Sequence, residues 1–220
     1  MLDRVLEPEV MDSEADARDY DEMDHSAVNA KFAADFLSAW PKPAGVVLDV
    51  GTGTAQIPIE LCRQAEGFRV LAVDAAAHML KLARSNIEKS GFADRIAVEL
   101  ADAKKSNHAE QSFDAVISNS IVHHIPFPFS VLAEMVRVCK LGGRLLVRDL
   151  ARPADLPKLR SLVDTYAAGA NEHQRQLFAD SLHSALTLEE VRNLVGRLGY
   201  APESVAMTSD RHWTWSAVRA

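Results

Sequence analysis

Val46-Val47-Leu48-Asp49-Val50-Gly51-Thr52-Gly53-Thr54-Ala55 is the stretch on which the rest of the chain depends. Apolar residues of strand character lead to an acid, two glycines follow at alternate positions, and Ile57, Ile59, Leu61 and Cys62 open an apolar-rich helix. That order predicts strand, tight turn, helix. Glycine tolerates positive φ and has no Cβ, so a ligand can come down onto the backbone while the following helix aims its free N–H groups at it. A small charged or polar ligand is expected on this turn.

Two ligand families use such a turn. The dinucleotide fingerprint G-x-G-x-x-G/A would need a small third residue at position 56, which is Gln56 here, so a nicotinamide oxidoreductase is disfavoured. An acid followed by G-x-G instead resembles motif I of the class I S-adenosylmethionine-dependent methyltransferases. The resemblance departs at that motif's last glycine, where this chain has Ala55. It runs from Val46 to Leu150, with Asp74, Asp102 and the run Ser118 to Ile125 in the family's order, and the chain resembles the small-molecule branch that includes ubiquinone/menaquinone methyltransferases. The implied fold is α/β: a Rossmann-like doubly wound seven-stranded sheet with helices on both faces and a C-terminal antiparallel hairpin.

Composition agrees with one domain. A chain of 220 residues with 48% apolar residues can bury on the order of 70% of its unfolded surface. A formal net charge of −7 and the lack of any basic stripe work against polyanion binding, so nucleic acid is an unfavoured partner. Residues 1–24 are acidic and expected to be irregular, with no apolar core of signal-peptide length; no later run approaches the ~20 residues of a membrane span, and a cytoplasmic protein is expected. Cys62 and Cys139 lie in apolar-periodic segments and read as buried free thiols.

In chain order, Ser26 to Trp40 has helical spacing of Val28, Phe32, Phe36 and Leu37, with Ser26 as its cap. Residues 1–40 are expected to form an N-terminal lid whose candidate groups are Tyr20, His25 and Asn29; His25 and Asn29 fall on one helix face. Residues 41–150 form the expected cofactor core. Strands are predicted at 69–73, 95–100, 113–119 and 144–150, and helices at 58–64, 75–90 and 129–140, with Leu141-Gly142-Gly143 as the turn before the fifth strand. Residues 151–186 carry two helical patterns expected to wall the substrate pocket. Residues 187–220 hold a helix opened by the capping box Thr187-Leu188-Glu189-Glu190, stapled by Leu186 and Val191, and then the hairpin strands 203–207 and 213–218.

Asp74 ends the second strand, where it can accept hydrogen bonds from both ribose hydroxyls of a nucleoside. By the resemblance, Asp49, Gly51, Thr52 and Gly53 cradle S-adenosyl-L-methionine, Ala75 follows the ribose acid, and Met79 lies against the adenine. Asp102 accepts from the adenine amine, the Ala103 backbone N–H meets a ring nitrogen, the Ser118 carbonyl takes the methionine ammonium, Asn119 points toward the departing methyl, and Tyr20 closes over the cofactor. Asn119-Ser120-Ile121-Val122 has neither the prolines nor the aromatic ring that base-amine methylating enzymes carry at this place, so base methylation is disfavoured.

Methyl transfer from a sulfonium is an in-line displacement in which alignment and water exclusion do most of the work. For an O- or N-nucleophile a base must also take a proton, and His25, His123, His124 and Asp149 are the candidates. The adjacent histidines are expected to project to different sides, one buried and one facing the pocket. They make a poor metal signal without nearby acid or thiolate ligands, so no metal is expected. Arg148 and Asp149 at the end of the fifth strand are either substrate contacts or a mutual ion pair. The expected function is methyl transfer to a small-molecule acceptor; the alternatives are a cofactor-binding module without turnover, or a protein or RNA methyltransferase.

Overall fold

A computed structural model describes residues 2–10 and 12–220. The elements run α1 (Glu14–Glu22), α2 (Ser26–Ala39), β1 (Ala44–Val50), α3 (Gln56–Gln64), β2 (Gly67–Asp74), α4 (Ala77–Ser90), β3 (Ile96–Leu100), β4 (Phe113–Asn119), a 3₁₀ turn Val122–His124, α5 (Pro128–Val138), β5 (Cys139–Leu150), α6 (Leu156–Tyr166), α7 (Glu172–Ser184), α8 (Leu188–Arg197), a 3₁₀ turn Pro202–Ser204, β6 (Val205–Met207) and β7 (His212–Val218). The seven strands form one sheet in the order β3-β2-β1-β4-β5-β7-β6. β1 to β5 pair in parallel, and β7 runs antiparallel to both β5 and β6. This is the expected doubly wound sheet with its terminal hairpin.

A parallel sheet needs both faces covered, which is why its strands are near-continuous apolar runs. Alternate residues of β1 serve opposite faces: Leu48 and Val50 join one cluster with Leu132, Met135, Val147 and Trp215, whereas Val47 joins the other with Phe32, Phe36, Leu61 and Phe68. The two cores leave the carboxyl ends of β1, β2 and β4 to form a single edge. Among the described residues no helix is long and apolar enough to cross a membrane.

Several local expectations are corrected. The acidic leader is not irregular throughout: α1 forms and packs Ala17 against Ala76 and Met79 at the start of α4. Ser26 does not cap α2; Asp24, two residues earlier, does the equivalent work, its Oδ1 accepting the Ser26 N–H at 3.0 Å. The glycines at 142 and 143 do not precede a strand but bulge within it. β5 starts at Cys139, and its register against β4 shifts between Phe113 and Ala115. The Thr187 capping box is present as read, with Glu190 N–H donating to Thr187 Oγ1 and Thr187 N–H to Glu190. The two cysteines are buried and unpaired.

Gly51 is the point at which the sheet edge tolerates no side chain. Its φ is +73°, and a Cβ there would stand 1.9 Å from Ile121 Cγ2. The left-handed penalty of about 1–2 kcal/mol adds to an overpacking cost of about 1–3 kcal/mol. Gly51→Ala is therefore expected to destabilise the protein by roughly 2–5 kcal/mol in urea unfolding. A Gly91→Ala change has open space around it and pays the backbone term alone.

Candidate active site

The turn after β1 is tied to the end of β2. Gly51 and Thr52 N–H both donate to the Val73 carbonyl, at 2.9 and 3.0 Å. Asp74 accepts from Gly53 N–H at 2.8 Å and Ala76 N–H at 2.9 Å, so one carboxylate fixes both the glycine turn and the start of α4. Ala55, at the N-cap of α3, has φ +63°. A methyl-bearing residue in that conformation costs about 1–2 kcal/mol, which explains why a glycine would suit the place better. Ser120, where β4 leaves the sheet, is likewise left-handed at φ +60°. Strain of this kind gathers at ligand sites, and both residues flank the same cleft.

Two adjoining cavities occupy the cleft. The first, about 170 Å³, is lined by residues that include Tyr20, His25, Asn29, Asp49, Thr54 and Asn119. The second, about 130 Å³, is lined by Asp74, Met79, Asp102, Ala103 and His124 among others. Tyr20, Gly51 and Asn119 belong to both. Tyr20 stands over the glycine turn, its ring edge 3.5 Å from where a Gly53 Cβ would be; its hydroxyl is desolvated and faces Asp74 and Asp49, which pushes its pKa up to about 12.

The first cavity is chemically unfinished. Asp49 Oδ2, Thr52 Oγ1, Thr54 Oγ1, Asn119 Oδ1 and His25 Nε2 are all buried and without a hydrogen-bond partner among the described residues. Five orphaned atoms from residues around one cavity are costly unless a ligand meets them. Burial, with Asp74 nearby, raises Asp49 to about 7. Burial lowers the pKa of His25, so its imidazole is neutral at pH 7.

Every residue expected at the cofactor except Ser118 lines one cavity or the other: Asp49 and Thr52 the first, Gly53, Asp74, Ala75, Met79, Asp102 and Ala103 the second, and Gly51, Tyr20 and Asn119 both. Ser118 is fully buried and its hydroxyl donates to the Val50 carbonyl at 2.8 Å, joining β4 to β1. Asp102 is half exposed; against a modest burial penalty, the Lys104 N–H and ammonium hold its pKa below the ordinary carboxylate range.

The candidate bases separate. His25 lines the first cavity and His124 the second, while His123 and Asp149 line neither. Asp149 is fully buried and accepts from Val122 N–H, His123 N–H, His123 Nδ1 and Leu150 N–H, at 2.5, 3.1, 2.5 and 2.6 Å. Its oxygens are committed to the protein, which removes it as a base. One histidine is buried and the other lines a cavity, as expected, but their rings do not diverge: the 3₁₀ turn that Asp149 holds brings them to 4.2 Å. Arg148 neither pairs with Asp149 nor reaches either cavity. Successive strand residues face opposite sides, and its guanidinium goes to Asp35 at 2.7 Å and Thr214 at 2.9 Å. No residue of 151–186 lines either cavity; α6 and α7 bury Leu159, Leu162 and Leu182 in a cluster of their own.

Sequence reading missed Glu9 and Val10, which line the second cavity, and Glu7, which packs on both histidines. An isolated acid in a polar segment has no periodicity to mark it. Thr54 and Ile121 were within reach, since both flank residues already singled out.

A parallel sheet with a glycine turn, a strand-end acid and a divided cleft at its carboxyl edge defines the class of nucleoside-binding α/β proteins. The family model described as "Methyltransferase domain" matches residues 41–200, and the chain belongs to that family. It is 30% identical over 124 residues to a ubiquinone/menaquinone biosynthesis C-methyltransferase of Geobacter sp. (strain M21), covering 56% of this chain and 52% of the relative. It is 35% identical over 104 residues to methyltransferase GfsG of Streptomyces halstedii, covering 47% and 37%. The chain thus spans about half or less of the length of these relatives. Its fold matches that of a SAM-dependent methyltransferase of Aquifex aeolicus with TM-score 0.70 at 17% identity, over 94% of this chain and 99% of that one.

Asp49 gives a signed pH prediction. Its folded pKa of about 7 lies above the ordinary value of 3.8, so the stability it contributes is complete below the unfolded value and is lost as pH rises through about 7. Asp49→Asn should therefore raise the melting temperature of the ligand-free protein relative to wild type at pH 8, and the gain should shrink toward zero by pH 4.5.

Proposed function

We propose that the protein transfers a methyl group from S-adenosyl-L-methionine to a small-molecule acceptor. The observation that carries this reading is the set of orphaned polar atoms around the first cavity, next to a second cavity bounded by Asp74, Met79 and Asp102. These residues fit the cofactor at both ends. Asp49 Oδ2 and Asn119 Oδ1 offer acceptors to an ammonium, Asp74 retains acceptor capacity for ribose hydroxyls, and the Met79 thioether suits a flat base. When bound, the cofactor supplies an electrophilic methyl on a sulfonium.

The chain's own part is alignment, dryness and a proton acceptor. Asn119, shared by both cavities, stands at their junction; Tyr20 covers the glycine turn and keeps water out. His25, neutral with an unpartnered Nε2, is the base for an acceptor O–H or N–H; His124 lines the other cavity. The lid is the segment ahead of α2; α2 itself, expected to belong to it, buries Phe32 and Phe36 in the second core and is part of the scaffold. A small acceptor is supported by the limited volume of the cleft, by the net charge of −7, and by the names of the relatives. A cytoplasmic location belongs to the same reading.

Calorimetric titration with S-adenosylmethionine and S-adenosylhomocysteine tests the cofactor step. Micromolar binding is expected, weakened at least tenfold by Asp74→Asn; no binding by wild type would sink the reading. Binding without label transfer to any compound of small-molecule extracts would leave a cofactor-binding module, and label in macromolecules would point to the protein or RNA alternative. Once an acceptor is found, His25→Ala should lower kcat by about 10²–10⁴-fold with cofactor affinity retained. The wild-type rate should be full at pH 8 and fall with acid only below pH 6.5, because the His25 pKa lies under its ordinary value.

A further inference from the structure

The N-terminal segment carries a carboxylate into the protein that methyl transfer does not use. Arg4 anchors this segment, its guanidinium donating to the carbonyls of Ser184 at 2.6 Å, His123 at 2.9 Å and Ile125 at 3.0 Å. Glu7 follows with its side chain only 8% exposed. Its Oε1 lies 3.3 Å from His123 Nε2 and 3.3 Å from His124 Nδ1, and accepts from the Ser184 hydroxyl at 2.9 Å.

The hydrogen bonding around these three residues fixes what His123 can offer. Asp149 already accepts backbone N–H groups, so the 2.5 Å contact with His123 Nδ1 makes that nitrogen the donor. Nε2 is left as the free ligand atom of a correctly oriented imidazole, the carboxylate–histidine arrangement that supports metal ligation. His124 Nδ1 faces two acceptors, Glu7 Oε1 and the Pro8 carbonyl, the latter at 3.3 Å. Acceptor atoms have thus been gathered around a common point, which calls for positive charge between them.

The spacing suits a particular kind of charge. The ligand atoms of Glu7, His123 and His124 all lie within 4.8 Å of one another. In a tetrahedral site with metal–nitrogen and metal–oxygen bonds of about 2.0–2.1 Å, neighbouring ligand atoms stand about 3.3–3.4 Å apart. Both Glu7–histidine separations have that value. Two imidazoles and one carboxylate with a fourth position open are ligands for a borderline divalent ion rather than for calcium or magnesium.

We propose that Glu7, His123 and His124 form a divalent-cation site of zinc type, with Asp149 orienting His123. The site joins a segment at the N-terminus to the turn that follows β4. A cation there clamps the segment in place, and because Glu9 and Val10 line the second cavity, it sets how firmly that end of the cleft is closed.

The test uses full-length, untagged protein stripped with chelator and titrated calorimetrically with zinc chloride at pH 7.5, with cobalt(II) as a spectroscopic substitute. One zinc per chain is expected, together with the visible absorption of four-coordinate cobalt and a zinc-dependent rise in melting temperature. Glu7→Gln keeps an oxygen for Ser184, and His124→Ala leaves the Asp149–His123 pair intact; each should weaken zinc binding at least tenfold and abolish the melting shift. His173→Ala, on the exposed face of α7, should change neither. No stoichiometric zinc binding by wild type, or binding that both variants retain, would overturn the site and leave the three groups sharing a proton instead. None of these readouts depends on cofactor binding or turnover, so the site and the methyl-transfer reading fail separately.

Discussion

Two carboxylates end neighbouring parallel strands with no cation to neutralise them. Asp49 is buried in β1, Asp74 lies at the tip of β2, and among the described residues neither forms an ion pair. Burial makes the charged form expensive for both and raises both pKa values. What keeps Asp74 serviceable is the backbone: Gly53 and Ala76 N–H groups point at it, and that same demand shapes the turn above β1. Asp149, at the end of β5, meets the same problem differently, with His123 beside it and backbone donors around it. One sheet edge therefore carries Asp49, whose Oδ2 the chain leaves unpartnered, Asp74, held by two backbone N–H groups, and Asp149, fully met by the protein; only the first two face the cleft. A ligand with hydrogen-bond donors and positive charge is the missing partner.

This division also governs what could be read in the sequence. The turn from Asp49 to Ala55 and the acid at Asp74 are local features: strand period, glycine spacing and one strand–helix–strand unit place them without knowledge of distant residues. The doubly wound sheet with its terminal hairpin was implied by the family resemblance, whereas the capping box at Thr187 is a pattern of four adjacent residues. Asp149 was placed correctly at the strand end yet assigned an unsuitable role, because whether a strand-end acid faces substrate depends on which donors another segment brings to it. The paired histidines were read in part: His123 is buried and His124 lines a cavity, but their rings do not diverge. A period-two picture sends neighbours to opposite sides, but here the chain makes a 3₁₀ turn under the pull of a carboxylate some 26 residues away. Glu7 left no trace in the sequence at all, since its meaning comes entirely from contact with His123, His124 and Ser184.

The N-terminal segment differs in kind from the sheet it covers. α1 contributes little apolar burial beyond Ala17, and the segment before it is held by Arg4 to three carbonyls, Glu7 to Ser184, Glu9 to Lys104 and Asp12 to the His78 N–H at 2.9 Å. Polar contacts of this sort exchange for water at a net cost of about 0.5–1.5 kcal/mol each, far less than parting two packed apolar faces. Opening the segment ahead of α2 therefore leaves both hydrophobic cores and the strand register untouched, since Phe32 and Phe36 of α2 stay in place. The left-handed backbone at Ala55 and Ser120 belongs to the rigid side of the cleft, where the sheet can bear the strain; the movable side is built almost entirely from bonds that water can replace. A site that must admit a cofactor and then exclude solvent needs that asymmetry, and here it arises from the contrast between an acidic, polar leader and a sheet whose strands are buried on both faces.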